Sequence, residues 1–322
     1  MDARTALTAD RRARFEAALD ALAPAGGIGV AVSGGPDSLA LLLLAEAARP
    51  GLVSAATVDH GLRPEATDEA SMVSETCRTL AIPHAILRVT VADDPAGVQA
   101  AARKARYAAL GLWAGQQEIG ALLTAHHADD QAETVLMRLA RGAGLSGLAG
   151  IRRSRPFSEA PGVTLIRPLL DWTKAELEEL VAAAGIEPIR DPSNTDPRYD
   201  RTRARALLAG GWPEAARVAA AADHLAESEE ALVWIAQKLA DERIRMDGET
   251  ATLDVSGLPR ELRRRLLLAL FARLAPGMEI RGDAVDRLLQ SLDAQTVATL
   301  SGFRCAPSPI WRVSRAAPRR SG

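Results

Sequence analysis

The stretch from Ile28 to Leu44, IGVAVSGGPDSLALLLL, constrains the fold of this chain more than any other. Its first five residues form a short apolar run that predicts a β-strand, and the apolar run at its end predicts a helix. Between them lies a glycine turn made of Ser33, Gly34, Gly35, Pro36, Asp37 and Ser38. A strand, a glycine turn and a helix in this order direct backbone N–H groups and the positive end of the helix towards one point. The stretch therefore predicts an anion site.

The carboxylate of Asp37 is unusual in an anion site, because it repels a phosphate unless a cation lies between them. We therefore predict that Asp37 holds Mg²⁺, which bridges to a polyphosphate. The alternative is an ordinary tight turn in which Asp37 or Ser38 only caps the helix. A Walker loop and a dinucleotide-binding loop are excluded, because no Lys follows the glycines and no Gly-x-Gly-x-x-Gly follows the strand.

The glycine turn resembles the SGGxDS loop of the pyrophosphatase-loop superfamily of ATP-dependent adenylating enzymes. This resemblance implies that ATP is cleaved between its α and β phosphates. It also implies that a carbonyl oxygen of the substrate is activated as its adenylate and that pyrophosphate is released.

Strand and helix signals alternate through the first two hundred residues. The strand-like runs are Ile28–Val32, Val53–Val58, Ala85–Val91, Ala121–Thr124 and Val163–Ile166. The alternation predicts an α/β fold, a doubly wound parallel sheet with helices on both faces, as an ATP-binding domain over residues 1–212. From Pro213 a long helix, two shorter helices and a β-rich end follow. They predict a helical linker and a smaller, mainly helical α+β domain over residues 213–322.

Polar clusters follow three of the predicted strands, at Ser33–Ser38, Asp59-His60 and His126–Asp130. Ligands of such sheets bind beyond the carboxyl ends of the strands, so we expect one shared site. Asp130 and Glu133 lie one helical turn apart and can face the same cleft. The alternative for this pair is a capping box at the start of a helix, which needs no function.

Composition narrows the class of protein. The length of 322 residues predicts about two domains. The longest apolar stretch, Leu39–Ala45, is too short to span a bilayer, and the N-terminal residues lack the apolar segment of a secretory signal. Cys77 and Cys305 are isolated, which favours a reducing compartment. We therefore expect a cytoplasmic protein without membrane association.

The basic residues are unevenly distributed. The net charge of −2 does not by itself favour a nucleic-acid partner. However, no acid lies between Glu133 and Glu159 or after Asp293, and each of these stretches carries five arginines. Either stretch alone is equally compatible with a solvated surface. Together they fit a polyanion footprint, which for the second stretch includes Arg312 and Arg315.

Five segments occur in one order that resembles the tRNA(Ile)-lysidine synthetase family, and the likeness covers about residues 27–210. The segments are SGGPDS, VDHGLR (58–63), QAAARKARYAAL (99–110), HHADDQAET (126–134) and DPSNTDPRYDRTRAR (191–205). The first segment specifies only the superfamily, whereas the second and fourth together discriminate the family. Thr202 and Ala204 depart from the Asn and Ile expected in an RNRIR-like stretch.

The resemblance implies that the enzyme joins free L-lysine to the wobble cytidine of the isoleucine tRNA whose anticodon is CAU. In this family ATP first adenylates the cytosine 2-carbonyl oxygen, and the lysine side-chain amine then displaces AMP. Two appendages of the family, a helical linker and a C-terminal domain, grip the tRNA. From the sequence alone the second domain is equally compatible with dimerisation, so a homodimer stays open.

Roles for individual residues follow from the resemblance. The residues of the glycine turn, with Asp59 and His126, are expected to bind ATP, and Asp37 to hold Mg²⁺. Asp130, Glu133 and Arg106 are expected to bind lysine and take part in catalysis, one acid accepting the amine proton. The expected contacts to the α-phosphate or to RNA are Arg201, Arg203 and Arg205.

Two other readings of the sequence remain. Another pyrophosphatase-loop enzyme, such as a tRNA thiolase or an amide-forming synthetase, would share the glycine turn. Thiolation needs cysteines in a motif, and no such motif is evident. A glutamine-dependent amidotransferase needs an ammonia-generating domain, which is not evident either. A non-catalytic nucleotide-binding module would not need the second carboxylate cluster.

Overall fold

A computed structural model of the chain describes residues 7–23, 26–61, 65–92, 95, 97–189, 200–278, 280 and 282–316. The chain divides into two compact units, Met1–Ala226 and Glu227–Gly322. This division lies within a long helix, Ala215–Arg243, and follows the predicted domain boundary at 212/213. The boundary between the functional domains therefore stays a prediction.

A six-stranded sheet forms the centre of the first unit, in the order β3-β2-β1-β4-β6-β5. All neighbouring strands pair in parallel except β5, which is antiparallel to β6. The strands are β1 (Ile28–Ala31), β2 (Val53–Asp59), β3 (His84–Arg88), β4 (Ala121–Leu123), β5 (Ser154–Pro156) and β6 (Thr164–Ile166). The prediction of a parallel α/β sheet is confirmed, and the antiparallel edge strand β5 was not predicted.

Helices cover both faces of this sheet. Those of the first unit are α1 (Ala9–Leu22), α2 (Pro36–Ala48), α3 (Glu65–Thr79), α4 (Val98–Gln116), α5 (Ala128–Ala140), α6 (Leu145–Leu148), α7 (Lys174–Ala183) and α8 (Asp200–Ala209). One apolar core joins α1, α2, α3 and α7 to the sheet. A second core packs α4, with Tyr107 and Trp113, against the opposite face. Alternate residues of a strand point to opposite faces, so Leu123 contributes to the first core and Leu122 to the second.

Beyond α9 (Ala215–Arg243), the second unit is built on an antiparallel sheet in the order β7-β8-β11-β10-β9. Its elements are β7 (Ile244–Asp247), β8 (Thr250–Asp254), α10 (Arg260–Leu274), α11 (Gly282–Asp293), β9 (Ala298–Leu300), β10 (Phe303–Ala306) and β11 (Ile310–Arg315). Helices α10 and α11 share one apolar core with the buried face of the sheet. The helices match the predicted ones, and β7 was not predicted. Among the described residues, no helix is long and apolar enough to cross a membrane.

Candidate active site

The glycine turn joins β1 to α2 at the carboxyl edge of the sheet. Helix α2 begins at Pro36, and Gly35 is its N-cap without a side-chain hydrogen bond. The Ser38 hydroxyl accepts a hydrogen bond from the Ser33 N–H at 3.1 Å and donates one to the Gly35 carbonyl at 3.0 Å. The alternative in which Asp37 or Ser38 is the N-cap is therefore wrong. The serine side chain instead fixes the shape of the turn.

Position 34 favours glycine for two reasons, its backbone conformation and the close approach of a neighbouring side chain. Its φ of +83° lies in the left-handed region that favours glycine. A Cβ atom at this position would overlap the Cδ1 of Ile189, whose N–H donates to the Gly34 carbonyl at 2.9 Å. The chain after α7 therefore closes over the turn. Pro36 has no N–H, and the Leu39 N–H donates to the Gly35 carbonyl at 3.1 Å. The N–H groups of Asp37 and Ser38 have no partner within the helix and are available to an anion.

Asp37 has the environment expected of a ligand to a cation. Its Oδ1 is buried and has no hydrogen-bond partner among the described residues. Its Oδ2 lies 3.5 Å from Nε2 of His127. Within the described ranges, no group of three or more His, Cys, Asp or Glu side chains is placed to hold a metal. Mg²⁺ commonly binds through one or two carboxylates and the phosphates of its nucleotide, so a single Asp37 fits this ion.

His127 is a buried imidazole among three carboxylates. Its Nε2 lies 3.5 Å from Asp37 and 3.4 Å from Asp130, and its Nδ1 lies 3.5 Å from Asp129. Burial opposes a charge on the ring, but the contacts with Asp129 and Asp37 and the charge of Asp130 outweigh it and raise the His127 pKa to about 10. The ring is therefore a cation at neutral pH. It connects the glycine turn to the second carboxylate cluster.

The capping-box alternative placed Asp130 at the N-cap of helix α5, but the helix begins at Ala128. Its N-cap is His127, and the Ala128 N–H donates to the Trp172 carbonyl at 2.8 Å. Asp130 is the third residue of the helix, and its Oδ2 accepts from the His127 N–H at 3.2 Å. A capping box is present, but His127 and Asp130 form it, so the box expected from Asp130 and Glu133 is wrong. Glu133 lies in the second turn, where it has no capping role.

Asp130 and Glu133 form ion pairs with two arginines of α8. Arg201 donates to Glu133 at 2.5 Å and also to Asp130, and Arg205 donates to Glu133 at 2.6 Å. The Glu133 residue is 3% exposed, whereas the side chains of Arg201 and Arg205 are 47% and 45% exposed. Arg201 and Arg205 lie four residues apart on one face of α8. Arg203 points away from that face and is exposed.

The structure brings the predicted acids together and places Arg201 and Arg205 on them rather than on a phosphate site. The preceding residues of the DPSNTDPRYDRTRAR segment, 191–199, lie outside the described residues. Contact of Arg201, Arg203 and Arg205 with RNA or the α-phosphate stays a prediction.

His126 follows β4, and Asp59 is the last residue of β2, at the same edge of the sheet. The Nδ1 of His126 lies 3.1 Å from the Thr124 hydroxyl. Burial, with the charges of Arg167, Arg103 and Arg201, outweighs the charge of Asp130 and lowers the His126 pKa to about 4. The ring is therefore neutral at physiological pH. Asp59 accepts from the Gly61 N–H at 2.9 Å in a local turn.

Arg106 lies on α4 near the end of β2. Burial and the charge of Arg106 lower the pKa of His60, against the charge of Asp59. Arg103, one turn before Arg106, is the α4 arginine whose charge acts on His126. The sequence reasoning missed Arg103 and Arg167. Arg167 directly follows β6, so the rule that found Asp59 and His126 would also have found it.

In the basic stretch between Glu133 and Glu159, two arginines hold parts of the fold together. Arg138 donates to the carbonyls of Gly147 and Gly150 at 2.8 and 2.9 Å and so stabilises the loop after α5. Arg153 pairs with Asp223 at 2.7 Å. These two arginines support the fold, so the polyanion footprint predicted for this stretch is smaller than its composition suggests.

In the second unit, strand register separates the two predicted RNA contacts. Arg312 pairs with Thr252, which pairs with Arg245, so the three side chains share the exposed face of the sheet. Arg315 is three residues from Arg312 and lies on the opposite face. It contacts the Phe303 ring, with 5.7 Å to the ring centroid, and pairs with Glu249 at 3.0 Å. Arg245 is a candidate contact that the sequence reasoning missed.

Both cysteines are buried, and burial raises the pKa of each thiol to about 12. A thiol of this kind is neutral and poorly reactive. This disfavours a thiolase that uses its own cysteines.

Comparisons with known proteins agree with this site. Residues 8–210 match the PP-loop domain family. The chain is 46% identical over 297 residues to the tRNA(Ile)-lysidine synthase of Zymomonas mobilis subsp. mobilis, which covers 92% of this chain and 90% of the relative. It is 48% identical over 317 residues to that of Novosphingobium aromaticivorans, covering 96% and 94%.

Among solved structures, a U34-tRNA thiolase from Methanococcus maripaludis with its [4Fe-4S] cluster is similar, with a TM-score of 0.55 and 19% identity. The match covers 67% of this chain and 77% of the thiolase. This likeness shows the shared fold alone.

Proposed function

Because this chain belongs to the tRNA(Ile)-lysidine synthase family, we propose that its cleft adenylates the wobble cytosine of the CAU-anticodon isoleucine tRNA and then joins it to free L-lysine. The chain is an ATP-dependent ligase that forms lysidine on tRNA(Ile). One observation carries the finer proposal. Asp37 of the glycine turn and Asp130 of α5 face the same buried imidazole, so the phosphate loop and the second acid cluster belong to one cleft.

The first step uses the glycine turn. The N–H groups at the start of α2 and the Ser33 hydroxyl hold the pyrophosphate part of ATP. Ser38 contributes by fixing the shape of the turn, and its hydroxyl reaches a phosphate only when it releases the Gly35 carbonyl. Mg²⁺, when bound at Asp37, supplies positive charge that stabilises the leaving pyrophosphate. His127 holds the Asp37 and Asp130 carboxylates in position. Asp59 and the neutral ring of His126 line the adjoining strand ends.

The second step needs a site for a cationic amine. Glu133 is buried and Asp130 is nearly so, which makes their carboxylates a strong site for an ammonium group. Arg201 and Arg205 occupy that site here. Because both arginines are about half exposed, they can turn into solvent or to a phosphate when the lysine ammonium arrives.

The proton of the lysine ammonium must leave before the amine attacks. An ammonium has a reference pKa of about 10.4 and is not a nucleophile at neutral pH. Asp130 or Glu133 accepts this proton, and the freed amine displaces AMP from the adenylated cytosine. Arg106 lies near the end of β2 and adds positive charge to that side of the cleft.

The exposed face of the second unit fits an RNA backbone. Arg245 and Arg312 lie in one row across β7, β8 and β11, next to the neutral Thr252. Spaced arginines on an exposed face are suited to phosphate contacts. A cytoplasmic location and a homodimer stay predictions.

A labelling assay tests the proposed function. The protein is incubated with ATP, Mg²⁺, labelled lysine and total tRNA, and both the RNA label and the released AMP are measured. We expect label in the isoleucine tRNA with the CAU anticodon and one AMP for each lysine joined. The absence of label from every tRNA would contradict the proposal. Omission of Mg²⁺ and a chase with unlabelled lysine are the controls.

A further inference from the structure

Arg167 is a buried guanidinium at the carboxyl edge of the sheet. It directly follows β6 and is 5% exposed. Ile166 pairs with Leu123 of β4, and the Thr124 N–H donates to the Ile166 carbonyl at 3.0 Å. Arg167 therefore lies beside the end of β4. His126 comes shortly after the same strand.

The partners of Arg167 leave its charge uncompensated. Its Nη1 donates to the Arg152 carbonyl at 2.7 Å, and the Tyr107 side chain also bonds to it. Its Nε is buried and has no hydrogen-bond partner among the described residues. Within the same part of the chain, no ion pair joins Arg167 to a carboxylate.

The surroundings of Arg167 make its charge costly. Burial, with the nearby charges of Arg155 and Arg103, lowers the pKa of Arg167 and outweighs the opposing effect of Tyr107. Arg103 donates to the Tyr107 hydroxyl at 3.2 Å, which places a second guanidinium on the same hydroxyl group. A buried cation among other cations is costly to the folded protein unless an anion joins it.

We propose that Arg167, supported by Arg103, binds the α-carboxylate of the substrate lysine. This inference rests on the proposed function and adds to it the recognition of the amino-acid end of the substrate. An arginine fork matches the two oxygens of a carboxylate. The site thereby gains the anion that the folded chain does not provide to Arg167.

The position of His126 links this anion site to the acid pair. His126 follows β4 and Arg167 follows β6, which pairs with β4, so both lie at neighbouring strand ends. The charges of Asp130, Arg167 and Arg103 all act on the His126 ring. A free amino acid likewise carries an ammonium and a carboxylate within one small molecule. The cleft thus offers charges of both signs to a zwitterion.

The depth of Arg167 favours a small substrate over the RNA backbone. A side chain that is 5% exposed is reached only by a group that enters the cleft. Arg245 and Arg312, by contrast, are exposed, where an RNA backbone can reach them from solvent. A carboxylate of free lysine can enter the cleft.

A comparison of L-lysine with L-lysinamide tests the proposal, since lysinamide keeps both amines and lacks the carboxylate. Steady-state transfer to tRNA is measured for the parent and for Arg167→Met. We expect the parent to favour lysine in kcat/KM. In Arg167→Met the KM for lysine should rise about 10- to 100-fold, because a charge-assisted hydrogen-bond pair is lost, while the KM for lysinamide stays within about twofold.

Further variants separate recognition from folding. Arg167→Lys keeps the charge without the fork and should restore part of the lysine preference. Arg103→Met changes an exposed side chain and should raise the lysine KM in the same selective way, though less. The control is Arg78→Met, which removes an exposed guanidinium paired with Glu75 on α3 and should change neither KM.

The outcomes are distinct. If Arg167→Met and Arg103→Met raise the KM of lysine and lysinamide equally, or if the parent uses both compounds equally well, the carboxylate role is wrong while the proposed function stands. If the parent transfers lysine to no tRNA, the proposed function fails and this inference fails with it.

Discussion

Arg201 donates a hydrogen bond to the buried carboxylate of Glu133 at 2.5 Å, across 68 positions of the sequence. The pair joins α8 to α5 over the end of the sheet, where Arg205 and Asp130 extend it to four side chains. The acids that we assign to the lysine ammonium are thus already held by cations of the chain itself. Substrate binding at these acids is therefore an exchange of one cation for another.

This exchange predicts that Arg201 competes with lysine. In Arg201→Gln the Asp130 carboxylate loses its guanidinium, so free lysine should bind the ATP-loaded protein about three- to tenfold more tightly in the absence of tRNA. Isothermal titration measures the affinity. Arg203→Gln is the matched control, because Arg203 lies on the exposed side of α8, and its lysine affinity should equal that of the parent. Unchanged or weaker binding in Arg201→Gln would show that the arginine does not compete.

Asp37→Asn should fold normally and lose most of its activity. The substitution keeps the shape of the side chain but removes the charge that attracts Mg²⁺ at the buried Oδ1. Activity is measured as a function of Mg²⁺ concentration, and a raised concentration should restore part of it.

The control for Asp37 is Asp129→Asn. Asp129 also faces His127, but it accepts from the Lys174 N–H at 2.9 Å and so supports the start of α7. We expect its Mg²⁺ dependence to match that of the parent. Near-normal turnover of Asp37→Asn at limiting Mg²⁺ would remove the metal role.

His126 predicts a loss of stability in acid. Burial is the largest cause that lowers its pKa from 6.5 to about 4, so the folded protein keeps the ring neutral while the unfolded chain takes up a proton. The free energy of unfolding is therefore not reduced by this residue above pH 6.5. It falls as the pH decreases from 6.5 towards 4, because the unfolded chain binds a proton that the folded protein does not.

Urea unfolding at neutral pH and at pH about 5 measures this effect. The free energy of unfolding should fall more in the parent than in His126→Gln, which has no proton to gain. The pKa values of His60 and His84 are also lowered, but both residues are present in both proteins. An equal fall in the two proteins would show that His126 does not titrate as proposed.

The exposed face of the second sheet predicts a salt-dependent contact with tRNA. Arg312→Gln should weaken tRNA binding and reduce its salt slope by about one unit for a lost phosphate contact, without changing ATP affinity. Arg315→Gln is the control on the same strand, since Arg315 lies on the other face and pairs with Glu249. Equal effects of the two substitutions would indicate a general charge effect instead of a defined face.

Much of the fold follows from the sequence because its signals are local. The apolar runs of β1, β2, β4 and β6 and the glycine turn are each specified within a few residues, and the parallel sheet follows from their alternation. Strand β5 is three residues long and pairs only through its contact with β6, so no local pattern marks it. The start of α5 is likewise set by a distant group, the Trp172 carbonyl.

The candidate site was predictable to a similar degree. The strand-end rule identifies Asp59, His126 and Asp130, because it needs only the order of strands. The pairing of Arg201 with Glu133 depends on how α8 folds back over α5, which composition does not reveal. The opposite orientations of Arg312 and Arg315 depend on strand register, and treating both as one basic surface overlooked the alternation of side chains in a strand.

Recognition of lysine by Asp130 and Glu133 is the central claim, and single-turnover lysine transfer by Glu133→Gln tests it most directly. Gln keeps the volume of the side chain, and the half-exposed Arg201 and Arg205 can be hydrated, so folding and ATP binding should match the parent. We expect the rate of lysine transfer from the preformed adenylate to fall about 10²- to 10⁴-fold, with Asp130→Asn affected in the same direction. Transfer at the parental rate by both variants would contradict the account and place the lysine site elsewhere.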